Sequence, residues 1–345
     1  MVSIADVAAR AGVSPTTVSH ALSGKRKVSD EVRARVQTAM SELGYVPSRS
    51  AQSLASGRTR IIGLIVPDIS NEFFAELTRG VEEAAVDRGY NVILCTTGFD
   101  HAREVHYLTM IRSRAVDGLV YAAGSPPTTS ELGDILGDLP LVLVDEEVPG
   151  SSAPSFVSDN VAGGRLVAEH LLELGHRDAV VLAAEGDLVS SAQRVEGFRE
   201  TWAGTTGVVP AVYTGAFTAE GGRTAIAGHL PQLLDSGATA VFAANDLMAL
   251  GAIEELERAG ARVPDDVSVV GFDDITAGRF ARPRLTTVRQ NIAELGARAV
   301  ESLVAALEDE TAIDPPSPSQ SSRSVLPVTL TVRESTAPAR RGKER

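Results

Sequence analysis

The chain has 345 residues, 43% hydrophobic and 22% charged, with a single cysteine. That is too long for one ordinary domain and ample for sizeable cores, and it excludes a disulfide framework or a Cys-rich zinc site. A net charge of −13, taken over the whole chain, argues against nucleic acid as a partner.

Three short helices are predicted in the first 47 residues. Ser3 can cap the first, with Asp6 at its third position and Ile4, Val7 and Ala8 on one face. Gly12 supplies the backbone freedom for a tight turn. Ser14 then caps a second helix that has Pro15 at its first position and runs to about Leu22. Ser29 starts a third, with Asp30 and Glu31 in its first turn and an apolar stripe of Val32, Val36, Ala39, Met40 and Leu43; Gly44 and Pro47 end it. Helix, glycine turn, helix is the helix-turn-helix, which lays its second helix in the major groove; a plain three-helix bundle with one polar face is the alternative. The charge distribution favours the former. Residues 1–60 hold nine basic and four acidic side chains, a surplus of +5 that leaves −18 on the remainder. A cationic segment on an anionic body is a DNA-binding footprint, because phosphate affinity follows the local field.

On the second helix the candidate DNA contacts are Ser14, Pro15, Thr16, Thr17, Ser19 and His20. Thr16 and His20, four residues apart, can reach base edges together, while Thr17, Ser19, Lys25 and Lys27 suit phosphates. Residues 48–59 read as a hinge, helix-compatible but too short to be stable alone, with Arg49, Ala51 and Leu54 as further DNA-contact candidates. Leu54 has nothing nearby to bury it: either an unremarkable surface leucine or an apolar wedge for a base step.

From Arg60 onward short apolar runs alternate with amphipathic stretches, the rhythm of parallel sheets. Strands are predicted at 61–66, 91–95, 118–121 and 141–144, then at 179–183, 211–213, 240–243, 267–272 and 326–332, with helices between them. Two successive sheets imply two lobes: about 60–159 with 290–308, and about 160–289 with 325–335. The Pro- and Ser-rich segment 309–324 reads as a flexible insertion and 336–345 as a disordered tail without leucine heptads, which favours a homodimer over a tetramer. In such sheets ligands sit beyond the carboxyl ends of the strands. There the chain places Asp68, Asn71, Phe73, Asp145, Arg194, Phe217, Asn245 and Asp273, a set of carboxylates, amides, a guanidinium and aromatics suited to a hydroxylated molecule. Asp246 is either a helix cap or a ligand contact.

Ala5-Asp6-Val7-Ala8, Ala11-Gly12-Val13-Ser14, Thr17-Val18-Ser19-His20 and Gly44-Tyr45-Val46-Pro47 resemble the headpiece of the lactose-repressor (LacI/GalR) family. The segment from Arg49 to Leu54 resembles its hinge helix, and Leu54 stands where the family's minor-groove leucine does. Asn245-Asp246, Val269 to Asp274 and Arg284 to Val288 are similar to the family's effector domain. The resemblance implies an all-α helix-turn-helix headpiece on a two-lobed α/β body of the type I periplasmic-binding-protein fold. It also implies that Arg194, Phe217, Asn245 and Asp273 touch a small-molecule effector. The expectation is thus a cytoplasmic homodimeric repressor on near-palindromic double-stranded DNA, tuned by a carbohydrate effector, with no cofactor, metal or membrane.

Other functions find little support. There is no Gly-x-Gly-x-x-Gly after a strand, no phosphate loop and no Gly-x-Ser-x-Gly elbow, and His101, His106, His170, His176 and His229 lack metal-ligand spacing. An extracytoplasmic transport protein would need the secretory leader that Asp6 and Arg10 interrupt. A regulator whose cleft serves a protein partner instead of an effector is the remaining alternative.

Overall fold

The computed structural model describes residues 2–23, 26, 28–45, 58–113, 116–308 and 322–340. The first helix, α1 (Ile4–Ala11), starts in a capping box: the Ser3 hydroxyl accepts the Asp6 N–H, and the Asp6 carboxylate accepts the Ser3 N–H at 2.8 Å. It ends at Gly12, whose φ of 65° a side chain would resist. α2 (Pro15–Ser23) follows, and α3 (Asp30–Leu43) runs from its Ser29 cap to left-handed Gly44. Val7, Ala8, Ala11, Val18, Val36 and Ala39 form the core of this unit.

The first lobe is a parallel sheet of β1 (Ile61–Val66), β2 (Asn91–Thr96), β3 (Gly118–Tyr121), β4 (Leu141–Val144), β5 (Ser155–Ser158) and β11 (Arg323–Leu326), in the order β11-β5-β4-β3-β1-β2. One face packs on α4 (Glu72–Asp87) and α12 (Ile292–Glu308), through Leu77, Val81, Leu295 and Leu303. The other packs on α5 (His101–Arg112) and α6 (Thr129–Leu136), through Leu108, Ile111, Leu132 and Leu136.

The second lobe repeats the plan with β6 (Ala179–Ala184), β7 (Ala211–Gly215), β8 (Ala240–Ala243), β9 (Ser268–Asp273), β10 (Thr286–Arg289) and β12 (Thr329–Thr331), ordered β12-β10-β9-β8-β6-β7. Only β12 is antiparallel, against β10. α7 (Asn160–Glu173) and α8 (Val189–Thr206) cover one face, and α9 (Ala219–Ser236) and α10 (Asp246–Arg258) the other. α11 (Thr276–Phe280) is a short helix after β9. Helices α7 and α8 meet closely because both carry glycine at the contact: a Cβ on Gly197 would lie 2.0 Å from the Val161 carbonyl oxygen. Among the described residues no helix is long and apolar enough to cross a membrane.

Four sequence expectations are corrected by the structure. β5 and β10 were not expected, and β5 is only four residues bounded by Pro154 and Asp159. The expected strand 326–332 is two strands: β11 joins the first lobe and β12 the second, with Pro327 between them, where a missing N–H interrupts a ladder. Arg323 and Ser324, expected in the flexible insertion, therefore belong to a sheet. Residues 336–340, expected as disordered tail, dock on the second lobe. The Ala337 N–H donates to Ser268 Oγ at 3.1 Å, His176 Nε2 lies 3.0 Å from the Ala337 carbonyl, and the Ala339 N–H donates to the Leu174 carbonyl at 2.8 Å. Those backbone bonds fix a segment whose composition alone reads as loose.

Candidate functional site

On α2, Pro15 and Thr16 are exposed, while Thr17, Ser19 and His20 are half-buried. Ser14 is occupied as the cap: its Oγ accepts the Thr17 N–H at 3.1 Å and sits 2.8 Å from the Thr17 hydroxyl. Thr16, Ser19 and His20 take no part in that cap. The turn before α2 is braced from α3 by Arg35, whose Nε donates to the Ala11 carbonyl and Nη2 to the Gly12 carbonyl, both at 3.0 Å. Arg35→Ala should therefore weaken operator binding several-fold, yet leave the salt slope unchanged. Loss of a phosphate contact would instead reduce that slope by about 0.9. A titration at several salt concentrations separates the two. Lys25, Lys27, Arg49, Ala51 and Leu54 lie outside the described residues.

Below the headpiece, the Asp117 carboxylate accepts the N–H groups of Thr59 and Arg60 at 2.7 and 2.8 Å and the Thr59 hydroxyl at 2.8 Å. This clamp ties the entry of the chain into the body to the start of β3.

At the carboxyl ends of the strands, three aspartates adopt left-handed backbone, Asp145 after β4 (φ 67°), Asp273 ending β9 (φ 120°) and Asp274 beyond it (φ 59°). Non-glycine residues held there cluster at functional sites. Arg194 of α8 is the hub of a buried network. Its Nε donates to Asn160 Oδ1 at 2.8 Å and its Nη1 to the Ala244 carbonyl at 2.7 Å; Nη1 also pairs with Asp273 Oδ1 at 3.5 Å. The guanidinium lies 3.9 Å from the Phe272 ring centroid. Gln290 adds a bond to Asp273 at 2.6 Å. Arg194 and Asp273 thus belong to one lobe and face each other. Burial pushes Asp145 up to about 6 and Asp273 up to about 7 against the pull of Arg194. Burial, with Asp145 as neighbour, pushes Glu146 up to about 8.

Between the lobes lies a cavity of about 1010 Å³. Its first-lobe wall includes Phe99, Ser125, Thr128, Glu146 and Glu147; its second-lobe wall includes Glu185, Asp187, Leu188, Phe217 and Thr218. Of the eight sequence candidates for effector contact, Phe217 lines this space. Asp145, Arg194, Asn245 and Asp273 are buried around the strand ends, where Asn245 caps α10 through the Met248 N–H and donates to the Phe217 carbonyl. Asp273 and Gln290 also line a smaller cavity of about 250 Å³ with Glu76, Arg279 and Arg289. The remaining three are engaged locally: Asp68 accepts from Ser70, Asn71 caps α4, and Phe73 packs edge-on against Phe74 in the core. Asp246 is neither cap nor cleft contact; it accepts from Ile275 N–H and the Thr287 hydroxyl. The sequence reading missed Phe99, Glu146 and Gln290, whose places depend on loops and crossovers far apart in the chain.

A three-helix headpiece with an exposed start to its second helix, joined to a two-lobed body with a cleft at its strand ends, is the architecture of a DNA-binding regulator. Residues 3–48 match the model of bacterial regulatory proteins of the lacI family, and 168–336 that of the periplasmic binding protein-like domain. The chain is 35% identical to the HTH-type transcriptional regulator DegA of Bacillus subtilis, over 97% of this chain and 98% of that one. Among solved structures, the lac repressor dimer bound to operator and the anti-inducer ONPF superposes with a TM-score of 0.82 at 28% identity, covering 97% of this chain and 99% of that one. The complex of the transcriptional regulator CelR with cellobiose superposes at 0.70 with 32% identity, covering 97% and 100%. The chain belongs to the LacI family of DNA-binding transcriptional regulators, which are not enzymes.

Proposed function

We propose that this regulator is a repressor that binds a near-palindromic operator as a homodimer and is released or recruited by a sugar or sugar-like effector held between its lobes. The observation that carries the effector class is the lining of the 1010 Å³ cavity: two aromatic side chains, Phe99 and Phe217, four carboxylates, several hydroxyls, and no basic side chain. An anionic metabolite would meet only like charge there. A neutral polyol finds acceptors for its hydroxyls and ring faces for its C–H surfaces. Of the expected effector contacts, Phe217 is the one on this lining, while Asp145, Arg194 and Asp273 are buried at the strand ends. The cellobiose bound to CelR and the operator-bound lac repressor dimer support the same reading.

The test is a thermal-shift screen of neutral sugars, nucleosides, purines and phosphorylated sugars. A ligand at a hundred times its Kd stabilises by about 2.7 kcal/mol, a rise of roughly 5–10 °C for a domain of this size. Neutral sugars should give that rise, and Phe217→Ala should reduce it. Stabilisation confined to phosphorylated compounds would overturn the effector class. A footprint without two-fold symmetry would overturn the dimer on a near-palindrome.

A further inference from the structure

Five helices of the body begin with a side chain that caps its own helix: Asn71, Asp100, Thr128, Asp159 and Asn245 each accept a first-turn N–H. α8 is different, because it begins at Leu188, which offers no acceptor. An uncapped helix start leaves backbone donors to be satisfied from elsewhere. Here the acceptor comes from the other lobe. Glu146, just past β4 and 5% exposed, places Oε1 and Oε2 3.3 and 3.2 Å from the Ser190 nitrogen and also accepts the Ser190 hydroxyl. Ser190 is itself buried, so water does not replace these bonds while the lobes are together.

The second cross-lobe bond follows the same logic. Ile275, before α11, offers no cap, and the Thr276 N–H donates to Glu72 Oε2 of the first lobe at 2.6 Å. Both bonds join a first-lobe carboxylate to a second-lobe backbone that has no acceptor of its own.

We propose that Glu146 is the interlobe latch: it is a positioning residue whose carboxylate reaches the uncapped start of α8 only when the lobes are together, and so sets their angle. Glu146 and Leu188 both line the large cavity, so the latch forms part of the wall that any occupant meets. α8 also carries Arg194, which joins the latch to the buried network at the strand ends. The inference goes beyond the effector reading and holds whatever molecule fills the cavity.

The experiment reads interlobe distance in the ligand-free, full-length protein. Spin labels are placed at Asp138→Cys and Val208→Cys in a Cys95→Ser background, with labelled chain diluted in unlabelled chain. Wild type should give one narrow distribution. Glu146→Ala should shift it to longer distances and broaden it, and Glu146→Gln, which keeps an acceptor, should fall between. Leu188→Asp, added to Glu146→Ala, gives α8 its own cap; it should restore amide protection at the start of α8 but not the short distance. Should that second substitution restore the distance as well, Glu146 is only a helix cap and the latch is refuted. An unshifted distribution in Glu146→Ala refutes it equally. If Glu146→Ala does not fold, Glu146→Gln and Ser190→Ala decide: both should broaden the distribution, and wild-type distances in both overturn the proposal.

Discussion

Replacing Arg194 with methionine should destabilise the ligand-free protein by roughly 3–5 kcal/mol, the cost of breaking a buried ion pair from one side. Arg194 is 2% exposed, so its partners are shut off from bulk solvent. Its removal leaves the Ala244 carbonyl and Asn160 Oδ1 without their donor, and leaves Asp273 with Gln290 as its remaining hydrogen-bond partner. Methionine fills much of the same volume, so the loss reports missing donors more than a cavity. Urea unfolding monitored at Trp202, buried in the same lobe, would measure it directly. Adding Asp273→Asn should recover part of the loss, because an amide tolerates burial better than an unpaired carboxylate. A residue that merely touched the effector would leave ligand-free stability unchanged, and that result would remove Arg194 from the structural network assigned to it here.

The second large effect is a fall in stability between pH 6.5 and about 8. Asp145, Asp273 and Glu146 are raised to about 6, 7 and 8, from ordinary values of 3.8, 3.8 and 4.5, chiefly by burial. A group raised in the folded state contributes stability that is fully present below its unfolded value and is lost as pH climbs through its folded value. Each therefore withdraws its contribution between its ordinary value and its folded one, complete near pH 6 for Asp145, 7 for Asp273 and 8 for Glu146, so Asp273 and Glu146 carry the fall above 6.5. The groups facing Glu146 are Asp145, which raises it, and Ser190 and Arg194, which lower it. Groups shifted the other way act elsewhere. His170 and His176 are lowered by burial and titrate below 6.5, and Asp266, held low by its bonds to Arg262, matters only in acid. Melting temperatures should drop across the window by roughly 2–4 °C for each kcal/mol withdrawn. Glu146→Gln cannot ionise, so its profile should be flatter between pH 6.5 and 8. A wild-type profile that rises, or a variant profile with the same slope, would contradict the assignment.

The headpiece was legible in the sequence because its signals are local. Ser3 with Asp6, Gly12, Ser14 with Pro15, and Ser29 act within one helical turn, and each cap sits where the spacing places it. Most strands of the body were legible for a similar reason: runs such as Ile61–Val66 and Ala240–Ala243 are apolar on both faces, as central parallel strands must be. β5 was not, since Ser155-Phe156-Val157-Ser158 has two apolar residues and gains its identity from lying between β4 and β11. The cleft was only half legible. Asn71 and Asn245 follow strands as ligand contacts do, but both also cap helices, and a sequence does not show where their amides point. Glu146 carries no local signal at all, because its partner is 44 residues away in the other lobe.

The path of the chain between the lobes has a further consequence. Among the described residues it crosses three times, after β5, after β10 and after β11, so each lobe is assembled from separated stretches of sequence. No single cut yields either lobe as a continuous fragment. A break at residue 159 would strand β11 and α12 on the wrong piece, removing an edge strand and one of the two helices that cover one face of the sheet they complete. The piece ending at 159 should then fail to fold alone, whereas the piece from 160 onward holds every strand of the second lobe. Co-expressed halves split at 159 should instead find each other and reconstitute the body, because the second piece carries the strand and helix that the first lobe needs to close its core.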